Sequence, residues 1–216
     1  MPHRRCTRGR RRPERRMSDT SLFHESGVIV DHDGRAELFH DFLDTPTADS
    51  FLESLSVEVQ WEQAELIVFG RKVVEPRMSV WYADNRMDYA YSGASRTAHA
   101  FTPALDRLRR EVQDRTGASF NSALVNLYRD GNDRLGWHAD NEECNGPEPT
   151  IASLSFGAER HFDLRHRASG ETRRVTLPHG SLLMMSGALQ RHWVHQVPAM
   201  KKVGAPRINV TLRLVS

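Results

Sequence analysis

The chain has 216 residues, 38% hydrophobic and 27% charged, which is enough for one well-buried domain and typical of a folded soluble protein. No apolar run approaches the ~18 residues of a membrane span. The net charge of +2 is deceptive: residues 1–16, MPHRRCTRGRRRPERR, hold eight arginines and one glutamate, a net +7. The other 200 residues are then close to −5, so any nucleic-acid surface on the folded part must be a local patch.

The basic segment has no apolar stretch of the kind a secretory signal needs. It reads as a disordered tail over residues 1–20 that touches nucleic acid, or as the product of a mis-assigned start ahead of Met17. An arginine-rich targeting peptide is the third reading, weakened by the absence of serine from those sixteen residues. The two cysteines, Cys6 and Cys144, offer neither a disulfide framework nor a CxxC metal pattern. A reducing, cytoplasmic setting is expected, nucleoid-associated in a bacterium or nuclear in a eukaryote.

In chain order, TADSFLESL (Thr47–Leu55) predicts a short helix entered through polar residues. LIVFG, RKVVEPR and MSVWYA then predict strands between Glu65 and Tyr82, punctuated by Gly70 and Pro76 as in a hairpin. PALDRLRREVQDRT (Pro103–Thr116) predicts a helix, with proline in its first turn and Leu105, Leu108 and Val112 along one face. After Asn121 seven short β-like runs follow within about 95 residues: SALVNLY, TIASLSFG, RHFDLRH, RRVTL, SLLMM, HWVHQV and RINVTLRLV. Such a series predicts a β-sandwich, jelly roll or small barrel, buttressed by helices that lie mainly upstream. The expected organisation is one domain over 21–216, with an N-terminal extension and recognition region at 21–120 and the β core at 121–216.

WHADNEE (Trp137–Glu143) sets His138 and Asp140 two residues apart, on one side of an extended chain. An imidazole and a carboxylate so placed can share a metal ion, and His192 or His195 in QRHWVHQVP can supply a third ligand. Two histidines and a carboxylate on a β scaffold form the facial triad of non-haem Fe(II) oxygenases. An isolated HxD is common by chance, and a strand histidine is more often a surface or core residue. The final strand adds weight. In PRINVTLR, Arg207, Asn209, Thr211 and Arg213 alternate with Ile208, Val210 and Leu212, so one face carries two arginines suited to bidentate carboxylate binding.

NLYRDGNDRLGWHADNE, ASLSFGAERHFDLRH, HGSLLMM, HWVHQVP and PRINVTLR together resemble the AlkB family of Fe(II)/2-oxoglutarate-dependent dioxygenases, in particular its branch that repairs alkylated DNA. The resemblance covers roughly Val68 to Val215 and implies an α+β, mainly β fold: a double-stranded β-helix (jelly roll) with N-terminal helices and a β-hairpin substrate lid. It implies Fe(II) held by His138, Asp140 and His195, with His192 outside the ligand set. Arg207 and Arg213 would hold the carboxylates of 2-oxoglutarate. Asn126 and Tyr128 would bind the same co-substrate, and Asn209 and Thr211 would support it.

The same resemblance implies a reaction and a substrate. With O2 and 2-oxoglutarate, an N-methyl group on a base is hydroxylated and lost as formaldehyde, as for 1-methyladenine or 3-methylcytosine. Val68, Phe69, Gly70 and Arg71 in VFGRK resemble the hairpin that probes the duplex, with Phe69 as the wedge. Tyr89, Tyr91 and Ser92 in YAYSG resemble the pocket strand, and Tyr91 would stack on the flipped base. Glu142, aided by Asn141, would favour a cationic lesion. Arg77, Lys201 and Lys202 are candidate phosphate contacts, for which a solvated charge is an equal reading. The expected partner is alkylated DNA, with RNA possible, and the expected state a monomer. The alternatives are the same oxygenase chemistry on RNA, protein or a small molecule, and a non-catalytic nucleic-acid-binding protein.

Overall fold

In the computed structural model the residues described are 26–63, 65–68, 71–84, 89–91, 94–96 and 98–216. The basic tail, Phe69, Gly70 and Ser92 lie outside them. No described helix is long and apolar enough to cross a membrane.

Two helices flank the β structure, and each is set by local chemistry. Helix α1 spans Thr45–Glu58; the Asp44 carboxylate caps it by accepting the Thr47 N–H at 2.9 Å. It runs past both ends of the predicted stretch, since the cap lies upstream and no breaker follows Leu55. Helix α2 spans Pro103–Thr116, as the sequence predicts. Thr102 caps it, and Gly117 ends it at φ 71°, a left-handed conformation that glycine adopts without a Cβ clash.

The strands before α2 are β1 (Ser26–Val30), β2 (Arg35–Phe39), β3 (Glu65–Val68), β4 (Arg71–Val74), β5 (Met78–Ala83), β6 (Tyr89–Tyr91) and β7 (Ala94–Arg96). After α2 come β8 (Ser122–Tyr128), β9 (Leu135–His138), β10 (Ile151–Gly157), β11 (Arg160–His166), β12 (Thr172–Leu177) and β13 (Leu182–Ser186). A short helix α3 (Leu189–His192) leads into β14 (Trp193–Val197), and β15 (Arg207–Arg213) closes the series.

A large sheet has the order β1-β2-β13-β10-β15-β8-β5, and a smaller one β12-β11-β14-β9. From β8 onward the chain passes back and forth between the two, with β8, β10, β13 and β15 in the large sheet and β9, β11, β12 and β14 in the small one. That weaving makes a jelly roll, the double-stranded β-helix. β3 pairs with β4, and β6 with β7, as separate two-stranded units.

Strand alternation gives the large sheet two different faces. On β15, Ile208, Val210 and Leu212 pack with Ala123 and Val125 of β8, Leu154 and Phe156 of β10, and Phe51, Leu55, Leu105, Leu108 and Val112 of the helices. A second apolar cluster joins Leu38, Ile151, Leu183 and Met185 to Phe162, Leu164 and Trp193 of the small sheet. The alternate residues of β15, Arg207, Asn209, Thr211 and Arg213, point the other way, toward the space between the sheets, and they are polar.

Candidate metal centre

β9 and β14 pair with His195 opposite His138, and their ring centroids lie 4.2 Å apart, edge to face. β9 ends at His138, so Asp140 is just beyond the strand rather than on it. Its N–H donates to the Gln190 side chain of α3 at 2.9 Å, which fixes the turn of chain that delivers the carboxylate. His138 Nε2 lies 3.9 Å from one Asp140 oxygen and His195 Nε2 3.7 Å from the other. All three ligand atoms fall within 4.8 Å of one another, so one ion can meet them together.

The protonation states suit a metal. His138 Nδ1 lies 2.8 Å from the Gly136 carbonyl. A carbonyl only accepts, so Nδ1 carries the proton and the Nε2 lone pair is left toward the carboxylate. Burial, then the neighbouring His138 and Arg213, push His195 down to about 3, so it is neutral and ready to ligate at ordinary pH. For Asp140, burial acts upward, but Arg213, His195 and His138 outweigh it and hold the carboxyl below its usual range. Phe162 stacks on His195 with centroids 5.1 Å apart, which limits ring rotation.

The cavity beside this triad is walled by both sheets. Asn126 and Tyr128 of β8, with Arg207, Asn209, Thr211 and Arg213 of β15, face His138, Asp140 and His195 across it. Ser153, Met185, Leu135 and Val197 complete much of the lining. Arg213 Nη2 donates to Asp140 Oδ1 at 2.6 Å, and both groups are buried. Arg213 thus holds a metal-ligating carboxylate of the chain itself, besides facing the cavity.

Arg207 differs. It is 1% exposed and donates Nη2 to Ser155 Oγ at 2.9 Å, but its buried Nε and Nη1 make no well-directed hydrogen bond. Burial lowers it to about 10, partly countered by the adjacent Tyr128 hydroxyl. An unsatisfied buried donor costs about 1–3 kcal/mol, so a guanidinium left this way at a cavity wall is suited to an incoming carboxylate. A small dicarboxylate and a divalent metal ion are what these residues fit.

The remaining predicted residues divide. Asn209 donates to Ser153 Oγ and the Leu154 carbonyl, at 2.9 and 2.8 Å, and its amide oxygen accepts from Thr211, so these two brace the cavity wall. Asn126 accepts from Arg77 Nε at 2.9 Å. Arg77 is therefore not the surface phosphate contact expected: it is 2% exposed, because the buried Glu75 carboxylate 3.6 Å away balances its charge. Its place is behind Asn126. Glu142 accepts from Asn145 at 2.8 Å, and neither it nor exposed Asn141 lines the cavity around the triad. Lys201 and Lys202 are exposed between β14 and β15. His192 is at the end of α3, away from the triad.

Val68 and Arg71 are opposite each other where β3 meets β4, and Tyr89 and Tyr91 lie on β6. Sequence reasoning missed Gln190, Ser155 and Phe162, whose roles arise only from contacts across the fold. None of them belongs to a local pattern that could have marked it.

Comparison with known proteins places this geometry in a family. The model for "2OG-Fe(II) oxygenase superfamily" matches residues 35–213. The human alpha-ketoglutarate-dependent dioxygenase alkB homolog 3 is 37% identical over 216 residues, covering 95% of this chain and 75% of that protein. The human DNA oxidative demethylase ALKBH2 is 40% identical over 179 residues, covering 78% and 69%. Its Arabidopsis thaliana counterpart is 34% identical over 240 residues, covering 94% and 76%. The solved structure of OsALKBH1 superposes with a TM-score of 0.56 over 82% of this chain and 97% of that one, at 17% identity, a likeness of fold. With a two-histidine, one-carboxylate triad facing a buried arginine across a jelly roll, the chain belongs to the 2OG-Fe(II) oxygenase superfamily and, within it, to the AlkB family.

Proposed function

We propose that this protein removes alkyl groups from the nitrogens of DNA bases by Fe(II)- and 2-oxoglutarate-dependent hydroxylation, a direct reversal of alkylation damage. The observation that carries the proposal is the pairing of the His138–Asp140–His195 triad with the buried, only partly hydrogen-bonded guanidinium of Arg207 in one cavity. The DNA substrate is supported by the two ALKBH2 relatives, which are DNA oxidative demethylases by name.

Bound iron supplies the oxidation, in which 2-oxoglutarate and O2 give succinate and CO2 while an N-methyl group becomes N-hydroxymethyl, which then leaves as formaldehyde. The chain's own work is positioning. His138 is held as the Nδ1–H tautomer by Gly136, and Arg213 and Gln190 fix Asp140. Arg207 would hold a carboxylate of 2-oxoglutarate, with Asn126 and Tyr128 lining the same cavity; Arg77 fixes the Asn126 amide. Arg213, which lines the same cavity, steadies the Asp140 carboxylate and would help hold the co-substrate.

For the base, we assign Val68, Phe69, Gly70 and Arg71 to the hairpin that enters the duplex, and Tyr89, Tyr91 and Ser92 to the pocket. Supporting this, Val68 and Arg71 pair at the end of β3 and β4. Glu142 and Asn141 follow Asp140 closely and would favour a cationic base on entry.

The test is incubation of oligonucleotides bearing 1-methyladenine or 3-methylcytosine, as DNA and as RNA, with protein, Fe(II) and 2-oxoglutarate. Mass spectrometry should show loss of the methyl group from DNA, and none with His138→Ala. Demethylation of RNA alone would move the substrate to RNA. Succinate production with no oligonucleotide changed would end the nucleic-acid reading.

A further inference from the structure

The histidine that the iron centre leaves aside has partners of its own. His192 closes α3, and its ligand atom lies within 4.8 Å of those of His166, at the end of β11, and Asp33, in the link between β1 and β2. His166 is 8% exposed. Its Nε2 lies 3.2 Å from Asp33 Oδ2, yet it is buried without a well-directed hydrogen bond. A nine-tenths-buried imidazole nitrogen aimed at a carboxylate, with a second imidazole stacked 6.2 Å away, is an arrangement that a cation would complete.

We propose that Asp33, His166 and His192 form a second metal site, for a borderline divalent transition-metal ion of the zinc type. Two imidazoles and a carboxylate suit zinc, with water completing a tetrahedral set. His166 can take either tautomer. Its Nδ1 has the Ser169 N–H at 3.1 Å as a donor and Ser169 Oγ at 2.9 Å as an acceptor. Metal binding requires the second, in which Nδ1–H donates a hydrogen bond to Ser169 Oγ, the Ser169 N–H bond is given up, and the Nε2 lone pair turns to the ion.

The three ligands come from parts of the chain already locked together. A Cβ on Gly34 would come within 2.3 Å of the Leu189 backbone nitrogen, so the β1–β2 link lies directly on α3. Trp193 Nε1 donates to the His32 carbonyl at 3.3 Å, and its ring meets that of His166 edge-on with centroids 5.0 Å apart. Such a site needs little rearrangement to close. It also pins the start of β14, three residues before His195, so its ion is a staple at the base of the strand that supplies an iron ligand.

The test counts metal. Full-length protein is stripped with chelator, equilibrated with Zn(II), separated from free ion and assayed by mass spectrometry. Because zinc also occupies iron triads, wild type should hold two equivalents, His138→Ala one, His192→Ala one and the double variant none. Wild type holding one and His138→Ala none would overturn the second site; so would His192→Ala retaining both. If His192→Ala does not fold, Asp33→Asn, altered on an exposed side chain, should bind the second zinc at least tenfold more weakly in the His138→Ala background. In that background a zinc concentration of 100 times Kd should raise Tm by roughly 5–10 °C. No rise in His138→Ala, or an equal rise with Asp33→Asn added, would overturn the proposal. Failure of the iron centre would appear separately, as no change between wild type and His138→Ala.

Discussion

Arg213 and Asp140 form a buried ion pair, Nη2 to Oδ1 at 2.6 Å, between the last strand of the large sheet and the segment that follows β9 of the small one. It fixes a metal-ligating carboxylate from outside the ligand set. Groups in that position commonly control affinity by 10–100-fold. Arg213→Met is expected to weaken Fe(II) or Mn(II) binding by about that factor, measured by equilibrium dialysis. Unchanged metal affinity would remove the positioning role.

Arg207 should separate from Arg213 in kinetics. Arg213 is engaged by the Asp140 carboxylate whereas Arg207 donates to the Ser155 hydroxyl, and lysine cannot reproduce the two-pronged carboxylate contact proposed for Arg207. Arg207→Lys is expected to raise KM for 2-oxoglutarate by roughly 10–100-fold, equivalent to about 1.4–2.8 kcal/mol, with a smaller effect on kcat. Metal affinity should hardly move. A drop in kcat at constant KM would contradict the assignment.

Arg77 has no surface role to lose, so its replacement should act through Asn126. Arg77→Met removes the guanidinium that lies 3.6 Å from the buried Glu75 carboxylate and donates to Asn126. Loss of stability by about 3–5 kcal/mol is expected, read from denaturant unfolding. The double variant Arg77→Met, Glu75→Gln should recover much of it. If the single variant is as stable as wild type, the buried pair is not what holds this segment.

Asp133 should be a traceable contributor to acid sensitivity. Burial acts upward on Asp133, but hydrogen bonds from Arg129, through Nε at 2.8 Å, Nη2 at 2.9 Å and the N–H at 2.9 Å, bring the carboxyl below its usual range. The stability this adds is fully present above the unfolded value near ~3.9 and disappears as pH falls through the lower folded value. Asp133→Asn is expected to lower Tm at pH 7 while flattening its fall between pH 5 and 3. Parallel Tm curves for the two proteins would show that the carboxylate is not responsible.

The helix face of the large sheet offers a stability test remote from chemistry. Leu108 is fully buried among β15, β8 and α1 residues. Leu108→Ala is expected to cost about 2–5 kcal/mol with activity per folded molecule retained. A loss under 1 kcal/mol would mean the helices pack loosely on the sheet.

Much of this was legible in the sequence because periodicity and capping are local. The alternation in RINVTLR predicts an apolar face and a polar one, and the structure puts the first on the helices and the second in the cavity. Pro103 and the leucine spacing mark α2 to the residue. β9 carries an iron ligand yet escaped notice, since four residues including Gly136 have no pattern and gain their pairing from β14. Arg77 misled for a similar reason: nothing in VEPRMS says that Glu75 will be buried beside it. Gln190 is invisible until α3 lies under Asp140.

The division of labour between the two sheets has a consequence for assembly. His138 and His195 of the triad are on the small sheet, while Arg207 and the other residues proposed to hold the co-substrate are on the large one. Neither half-assembled sheet brings iron and 2-oxoglutarate together. The cavity that would hold both is therefore complete only where the two sheets meet, and a chain with them apart has neither wall facing the other.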